Sequence, residues 1–139
     1  MLTKENRLKG LIILACDDEP MGLDIIKLLL TAYGGQVFTA TDGKEGLEFV
    51  QSHTVDLILT DLSMPNMSGW EMKKHLEQNT HTAQIPVIAL TAHAMAGDGE
   101  RVLGAGFSGY ITKPIMPQTF MVDFIKILKA IPSLSNRFA

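Results

Sequence analysis

Five polar residues stand behind apolar runs in this chain, and their types suit the handling of a phosphoryl group. Asp17 and Asp18 follow Leu11–Cys16, Asp61 follows Leu57–Thr60, Thr91 follows Val87–Leu90, and Lys113 comes soon after Gly109–Ile111. Singly each is ordinary, since an aspartate behind a strand is usually a turn or helix-cap residue. Gathered at one place they would be something else. Three carboxylates repel one another unless they are protonated or compensated by a cation. A hard divalent cation with oxygen ligands, Mg2+ above all, meets that need and itself binds phosphate. Lys113 and the Thr91 hydroxyl then suit the non-bridging oxygens of a phosphoryl group, one through charge and the other through a hydrogen bond. The small Ala92 leaves the approach open. One carboxylate can act as nucleophile and form an acyl phosphate; Asp61, between the acidic pair and the Thr and Lys, is the natural choice.

Such a meeting requires a fold that brings the ends of separate strands together. The unbroken apolar run Leu11–Cys16 suits a strand buried on both faces. Pro20 fits the first turn of a helix, and the carboxylates before it complement the helix dipole. That helix is predicted from about Pro20 to Tyr33, closing on Gly34-Gly35. Its apolar residues form two stripes, one of Ile25, Leu28, Leu29 and Ala32, the other of Leu23, Ile26, Leu30 and Tyr33. A helix lying on a sheet needs one stripe, so the other is either scattered apolar surface or a docking face for a partner.

The pattern continues with a strand at Gln36–Ala40, a turn at Thr41-Asp42-Gly43 and a helix at Lys44–Ser52. A strand at Asp56–Thr60 leads to Asp61, and a helix over Gly69–Gln78 is ended by Asn79–Thr82. Strands at Val87–Leu90 and Gly109–Ile111 flank a helix near Gly97–Gly106, and Gln118–Ala130 forms the last helix. Five strands thus alternate with five helices. Apolar strands in this alternation predict an α/β doubly wound parallel sheet with right-handed crossovers. Its ligand crevice lies at the carboxyl ends of the strands, where all five polar residues converge.

The 139 residues suffice for one domain and not for two. The expected division is an extension at 1–10, a domain at 11–132 and a tail at 133–139. A net charge of -3, with 19% charged residues, disfavours direct nucleic-acid binding. Cys16 is the single cysteine, so no internal disulfide forms; a redox role is disfavoured beside that of a buried strand residue. The apolar start stops at Asp17-Asp18-Glu19, too soon for a membrane span or signal peptide, and a cytoplasmic address with no membrane insertion is expected. Five glycines, at 97, 99, 104, 106 and 109, crowd the fourth helix, which is expected to be marginal unless they only cap its ends.

The segments LIILACDDEP, LILTDLSMPNMSGW, IPVIALTA and GYITKP, with the apolar last helix, together resemble the receiver domains of two-component response regulators. The resemblance covers about Leu11 to Ile131 and implies the flavodoxin-like strand order 2-1-3-4-5. It is to stand-alone receivers of the chemotaxis-regulator or cell-cycle kind. By this resemblance Asp61 is the phosphoacceptor, charged by a phosphohistidine on a histidine kinase or histidine phosphotransfer protein and signalling to a downstream protein target. Mg2+ would be held by Asp18 and Asp61, by Asp17 mostly through water, and by the Ser63 backbone carbonyl. Thr91 and Tyr110 match the family's switch pair, and the Lys113-Pro114 bond is expected to be cis. The chain is expected to be a signalling switch that catalyses its own phosphorylation and dephosphorylation, not an enzyme acting on others. The first helix's extra stripe fits docking onto a four-helix phosphotransfer bundle. Ser63 and His93, two residues after Asp61 and Thr91, leave the attacking water some freedom in the family's scheme, although a solvated loop role for His93 is preferred.

The IALTAHAMAGD stretch resembles receivers that stand alone and receivers fused to hybrid kinases, so a single-domain regulator and an excised domain are both open. A degenerate scaffold receiver is the other alternative, though it would be expected to have lost Asp18, Asp61 or Lys113. A haloacid-dehalogenase-type phosphatase would need an Asp at position 63 and a cap domain. A flavin-binding protein of this fold would need a Ser/Thr/Gly-rich loop where this chain has Asp17-Asp18-Glu19. Met64, Met67 and Met95 read as loop packing, and His53, His75 and His81 lack metal-ligand spacing.

Overall fold

The computed structural model describes residues 7–92 and 97–138, the side chains of 137 and 138 excepted. Five strands, β1 (Ile12–Cys16), β2 (Gln36–Ala40), β3 (Leu57–Asp61), β4 (Val87–Thr91) and β5 (Gly109–Thr112), form one parallel sheet in the order β2-β1-β3-β4-β5. The helices among the described residues are α1 (Pro20–Ala32), α2 (Gly43–Ser52), α3 (Gly69–Glu77), α4 (Thr80–Ala83), α5 (Asp98–Gly104) and α6 (Pro117–Lys129). The short α4 is a sixth helix where five were expected. Asn79, expected only to end α3, instead starts another turn, its side chain accepting from the His81 N–H at 2.9 Å. His93 and Met95 lie outside the described residues.

Strand alternation divides the core in two. Ile13, Ala15, Leu57, Leu59, Ile88 and Leu90 face α1 and α6, whose Leu23, Ile26, Leu30, Phe120, Phe124 and Leu128 cover them. Leu14, Cys16, Ile58, Val87 and Ala89 face the opposite layer with Val50, Met72, Leu76, Val102 and Phe107. Burial on both faces explains why the strands read as unbroken apolar runs. The stripe of α1 that faces the sheet is the Leu23, Ile26, Leu30 one; on its other side Met21 and Leu28 are 79% and 71% exposed. Residues near both ends of the described chain are tied down more firmly than their composition suggests. Leu8 is fully buried and its N–H donates to the Tyr33 carbonyl at 2.8 Å, and Leu134 is buried beneath the final 3-10 turn.

The glycines around α5 divide by role. Gly97 occupies the N-cap in the left-handed region at φ 94, and Gly106 just past the end does the same at φ 96. Gly99 and Gly104 lie within the seven-residue helix itself, where each costs about 1 kcal/mol relative to alanine. A helix so short gains little from its own hydrogen bonds. Amides of Glu100–Leu103 are therefore expected to exchange with deuterium well before those of Phe120–Leu128 in α6. Equal protection of the two sets would refute the point.

Candidate functional site

β1 and β3 end side by side, Cys16 pairing with Thr60, and this puts Asp17, Asp18 and Asp61 at one edge of the sheet. Carboxylate oxygens of the three lie within 4.8 Å of one another. Asp61 is the last residue of β3, one place further along the strand than its pattern predicts, and is buried with the rest of that strand. The Leu62 N–H donates to its Oδ1 at 2.9 Å, which fixes the carboxylate and turns Oδ2 toward Lys113. Asp17 is likewise held, its Oδ1 accepting from the Glu19 N–H at 3.0 Å. Asp18 is exposed at the mouth.

Lys113 is the cation of this edge. Its Nζ lies 2.9 Å from Asp17, 3.2 Å from Glu19 and 3.5 Å from Asp61. Burial by itself would lower this ammonium, but Asp17, Asp61 and Glu19 outweigh it and hold the pKa up at about 12. Lys113 therefore stays charged throughout the neutral range. Asp61 is raised as well, but for a different reason: burial raises its carboxyl, Lys113 opposes the rise, and Asp17 adds to it. One ammonium does not balance this many carboxylates. Beyond its ion pair with Lys113, the buried Asp17 Oδ2 has no polar partner among the described residues. An all-oxygen donor set of three carboxylates this close together is what a hard divalent cation fits.

These residues border a cavity of about 470 Å³ whose lining includes Asp18, Asp61, Ser63, Thr91, Ala92 and Lys113. Thus all the residues predicted for the site meet there except Tyr110, which is 41% exposed outside the cavity lining, and Asp17, which lies beneath it. The Lys113-Pro114 bond is cis, as expected. Cys16 sits under the site, and burial pushes its thiol up to about 12, in keeping with a packing role.

The loop behind Asp61 is held by residues the sequence did not single out. Asn66, at φ 65, donates to Asp42 Oδ2 at 2.7 Å, while Asp42 Oδ1 caps α2 by accepting from the Glu45 N–H at 2.8 Å. The Gly43 N–H donates to the Met67 carbonyl at 2.9 Å, so the loop carrying Ser63 is strapped to the start of α2. Ser68 and Glu71 then form a capping box that starts α3. The S-x-x-E spacing of Ser68 and Glu71 was a readable signal; the Asp42–Asn66 clasp spans 24 positions and was not. Trp70 and Arg101 also line the cavity, the guanidinium 4.9 Å from the centre of the indole ring, and that ring packs perpendicular to Phe107.

Gly69 is where α3 passes closest to the site. A Cβ there would collide with the Asp61 carbonyl oxygen and press on the Leu62 backbone. Gly69→Ala is expected to cost about 2 kcal/mol, because backbone and not a flexible side chain must yield. Urea denaturation checks this, and a loss under about 0.5 kcal/mol would contradict it.

Residues 13–124 match the response regulator receiver domain family. The chain is 41% identical over 114 residues to the signal transduction histidine-protein kinase BarA of Escherichia coli, covering 82% of this chain and 12% of that protein. It is 36% identical over 109 residues to the polar-differentiation response regulator DivK of Brucella anthropi, covering 78% and 89%. Among solved structures it resembles the receiver domain of the sensor histidine kinase PA1611 from Pseudomonas aeruginosa, with 29% identity, a TM-score of 0.76, and 88% of this chain and 97% of that one covered. That receiver was solved with a magnesium ion in its active-site cleft. The sheet order, the acidic edge and these likenesses agree: the chain belongs to the response regulator receiver domains of two-component signalling.

Proposed function

We propose that Asp61 is the phosphoacceptor and that Lys113, Thr91, Tyr110 and the acidic pair serve it. The observation that carries this reading is the placement of one buried, raised carboxylate between Lys113 and the Asp17–Asp18 pair, facing a cavity that Thr91 also lines. An Asp61 carboxylate oxygen attacks the phosphorus of a phosphohistidine; the P–N bond breaks, the imidazole leaves with the electron pair, and an acyl phosphate remains on Asp61. Lys113 places its charge and Thr91 its hydroxyl against the non-bridging oxygens. Asp17, Asp18, Asp61 and the Ser63 carbonyl would hold Mg2+, which neutralises phosphate charge as the bond forms. Thr91 and Tyr110 then pass the change to a partner-binding face, so the chain is a switch that catalyses its own charging and discharge.

The donor is a histidine kinase or a histidine phosphotransfer protein, in the cytoplasm. The apolar face left on α1, with Met21, Ile25 and Leu28, offers it a docking surface, continued by Ile115 beside Pro114. No helix among the described residues is long and apolar enough to cross a membrane. The retention of Asp18, Asp61 and Lys113 together favours a working receiver over a degenerate scaffold. Incubation with acetyl phosphate and Mg2+ followed by intact mass tests the assignment: one phosphoryl adduct is expected, and none, or one that survives Asp61→Asn, would overturn it.

A further inference from the structure

Tyr110, in β5, is 41% exposed. Its ring lies against the bare backbone of Gly99 in the first turn of α5. A Cβ built on Gly99 would stand 2.5 Å from the tyrosine hydroxyl oxygen, 2.8 Å from Cζ and 2.9 Å from Cε1. Separations of that kind do not occur between carbon and a stable neighbour, so the ring in its present place and a side chain at 99 exclude each other, and the ring, as the far end of a side chain, is the part that moves. The contrast with the other glycine inside α5 is sharp: a Cβ on Gly104 would meet nothing within 4 Å. Neither glycine has a positive φ, so backbone conformation does not demand glycine at either place. A glycine within a helix costs stability, and at 99 the Tyr110 ring supplies a reason for one.

The sheet register says where a displaced ring can turn. Tyr110 pairs with Ala89, and Thr91 with Thr112, so Tyr110 and Thr91 stand on the same face of neighbouring strands. The ring has two exits from Gly99: across that face into the cavity over Thr91, or out to solvent. We propose that Gly99 is the positioning residue that holds Tyr110 outward in the resting state, and that any side chain at 99 drives the ring inward, onto the state otherwise reached by phosphorylation. The direction of that movement rests on the reading of Thr91 and Tyr110 as a switch pair; the mutual exclusion of the ring and a side chain at 99 does not. A ligand shifts such an equilibrium only as far as its preference between the states allows, and a permanent steric block at 99 acts the same way without a ligand.

The chain has two tyrosines, Tyr33 and Tyr110, so labelling with 3-fluorotyrosine gives two fluorine resonances, assigned with Tyr110→Phe. In the wild-type chain the Tyr110 resonance is expected to move when Mg2+ and beryllium trifluoride, a mimic of the acyl phosphate, are added. In Gly99→Ala without either, it is expected to have moved more than half of that distance already. Gly104→Ala, with the same gain in helix propensity, is expected to leave it in place. A Gly99→Ala resonance at the resting wild-type position, or at that of a fully solvated tyrosine, would overturn the proposal. A wild-type resonance indifferent to beryllium trifluoride would count against the phosphoacceptor reading and the inward direction, while the steric exclusion is read separately from melting. There, Gly99→Ala is expected to lower the melting temperature when Tyr110 is present and to raise it, as Gly104→Ala does, in a Tyr110→Ala background. An equal effect in both backgrounds would sink the exclusion as well.

Discussion

Lys113→Ala is expected to lose phosphorylation and about 3 kcal/mol of stability in the absence of metal, at neutral pH. The side chain removed is only 14% exposed, and it leaves behind Asp17, which is fully buried, and Asp61, which is nearly so. Taking one partner from such a group leaves charges in a poor solvent with nothing to answer them. For a domain of this size, about 3 kcal/mol corresponds to a fall of roughly 6–12 °C in melting temperature. Two further outcomes separate this cause from simple loss of packing. The deficit shrinks as pH falls, because Asp61, whose carboxyl burial raises above its unfolded value, takes up a proton and ceases to repel; that contribution is present below the unfolded pKa and is lost as pH rises through the native one. Millimolar Mg2+ also restores part of the loss, which Lys113→Met, matched in volume and equally uncharged, shares. Melts with chelator and with Mg2+, at acid and neutral pH, check all of this, and a deficit indifferent to both would place the effect in packing.

Asp61→Asn is expected to abolish the phosphoryl adduct entirely while making the metal-free fold more stable at neutral pH. Burial, with Asp17 adding to it and Lys113 opposing, holds the Asp61 carboxyl above its ordinary 3.8. A carboxyl raised by folding favours the native state while protonated; that favour is complete below about 3.8 and disappears as pH rises through the raised native value. At neutral pH the ionised group therefore works against the fold, and the amide removes that opposition. Between acid and neutral pH, with chelator present, the wild-type chain should lose stability that the variant keeps. Mg2+ reverses the ranking. At a hundred-fold excess over its Kd the ion stabilises the wild-type chain by about 2.7 kcal/mol, and the variant, lacking one carboxylate, gains far less. A variant that melts below the wild type in chelator would show that Asp61 is there for structure.

The convergence of Asp17, Asp18, Asp61, Thr91 and Lys113 was legible because a doubly wound sheet leaves few choices. Apolar runs buried on both faces must lie parallel, and the polar residues behind those runs must then gather at one edge. The features that escaped notice depend on contacts between segments that no local pattern encodes. Asp42 reads as a turn residue before a helix, but its hold on Asn66 exists only because α2 and the loop behind β3 are neighbours. Gly69 reads as the start of a helix, and its function, letting α3 pass the Asp61 carbonyl, is a matter of clearance. Glu19 reads as a charge before a helix, whereas it reaches Lys113 across 94 positions. Leu8 and Leu134 fall within the expected extension and tail, yet both are drawn into the core.

The indole of Trp70, with the Arg101 guanidinium above its ring and Phe107 perpendicular to it, has a practical consequence. It is the only tryptophan in the chain, and it lines the same cavity as Asp61. A stacked cation perturbs the emission of such a ring, and Arg101 belongs to α5, the helix that seats Tyr110. Excitation of this one fluorophore therefore gives an optical reading of the α5–cavity boundary in the unlabelled protein, fast enough to follow charging and discharge as they happen.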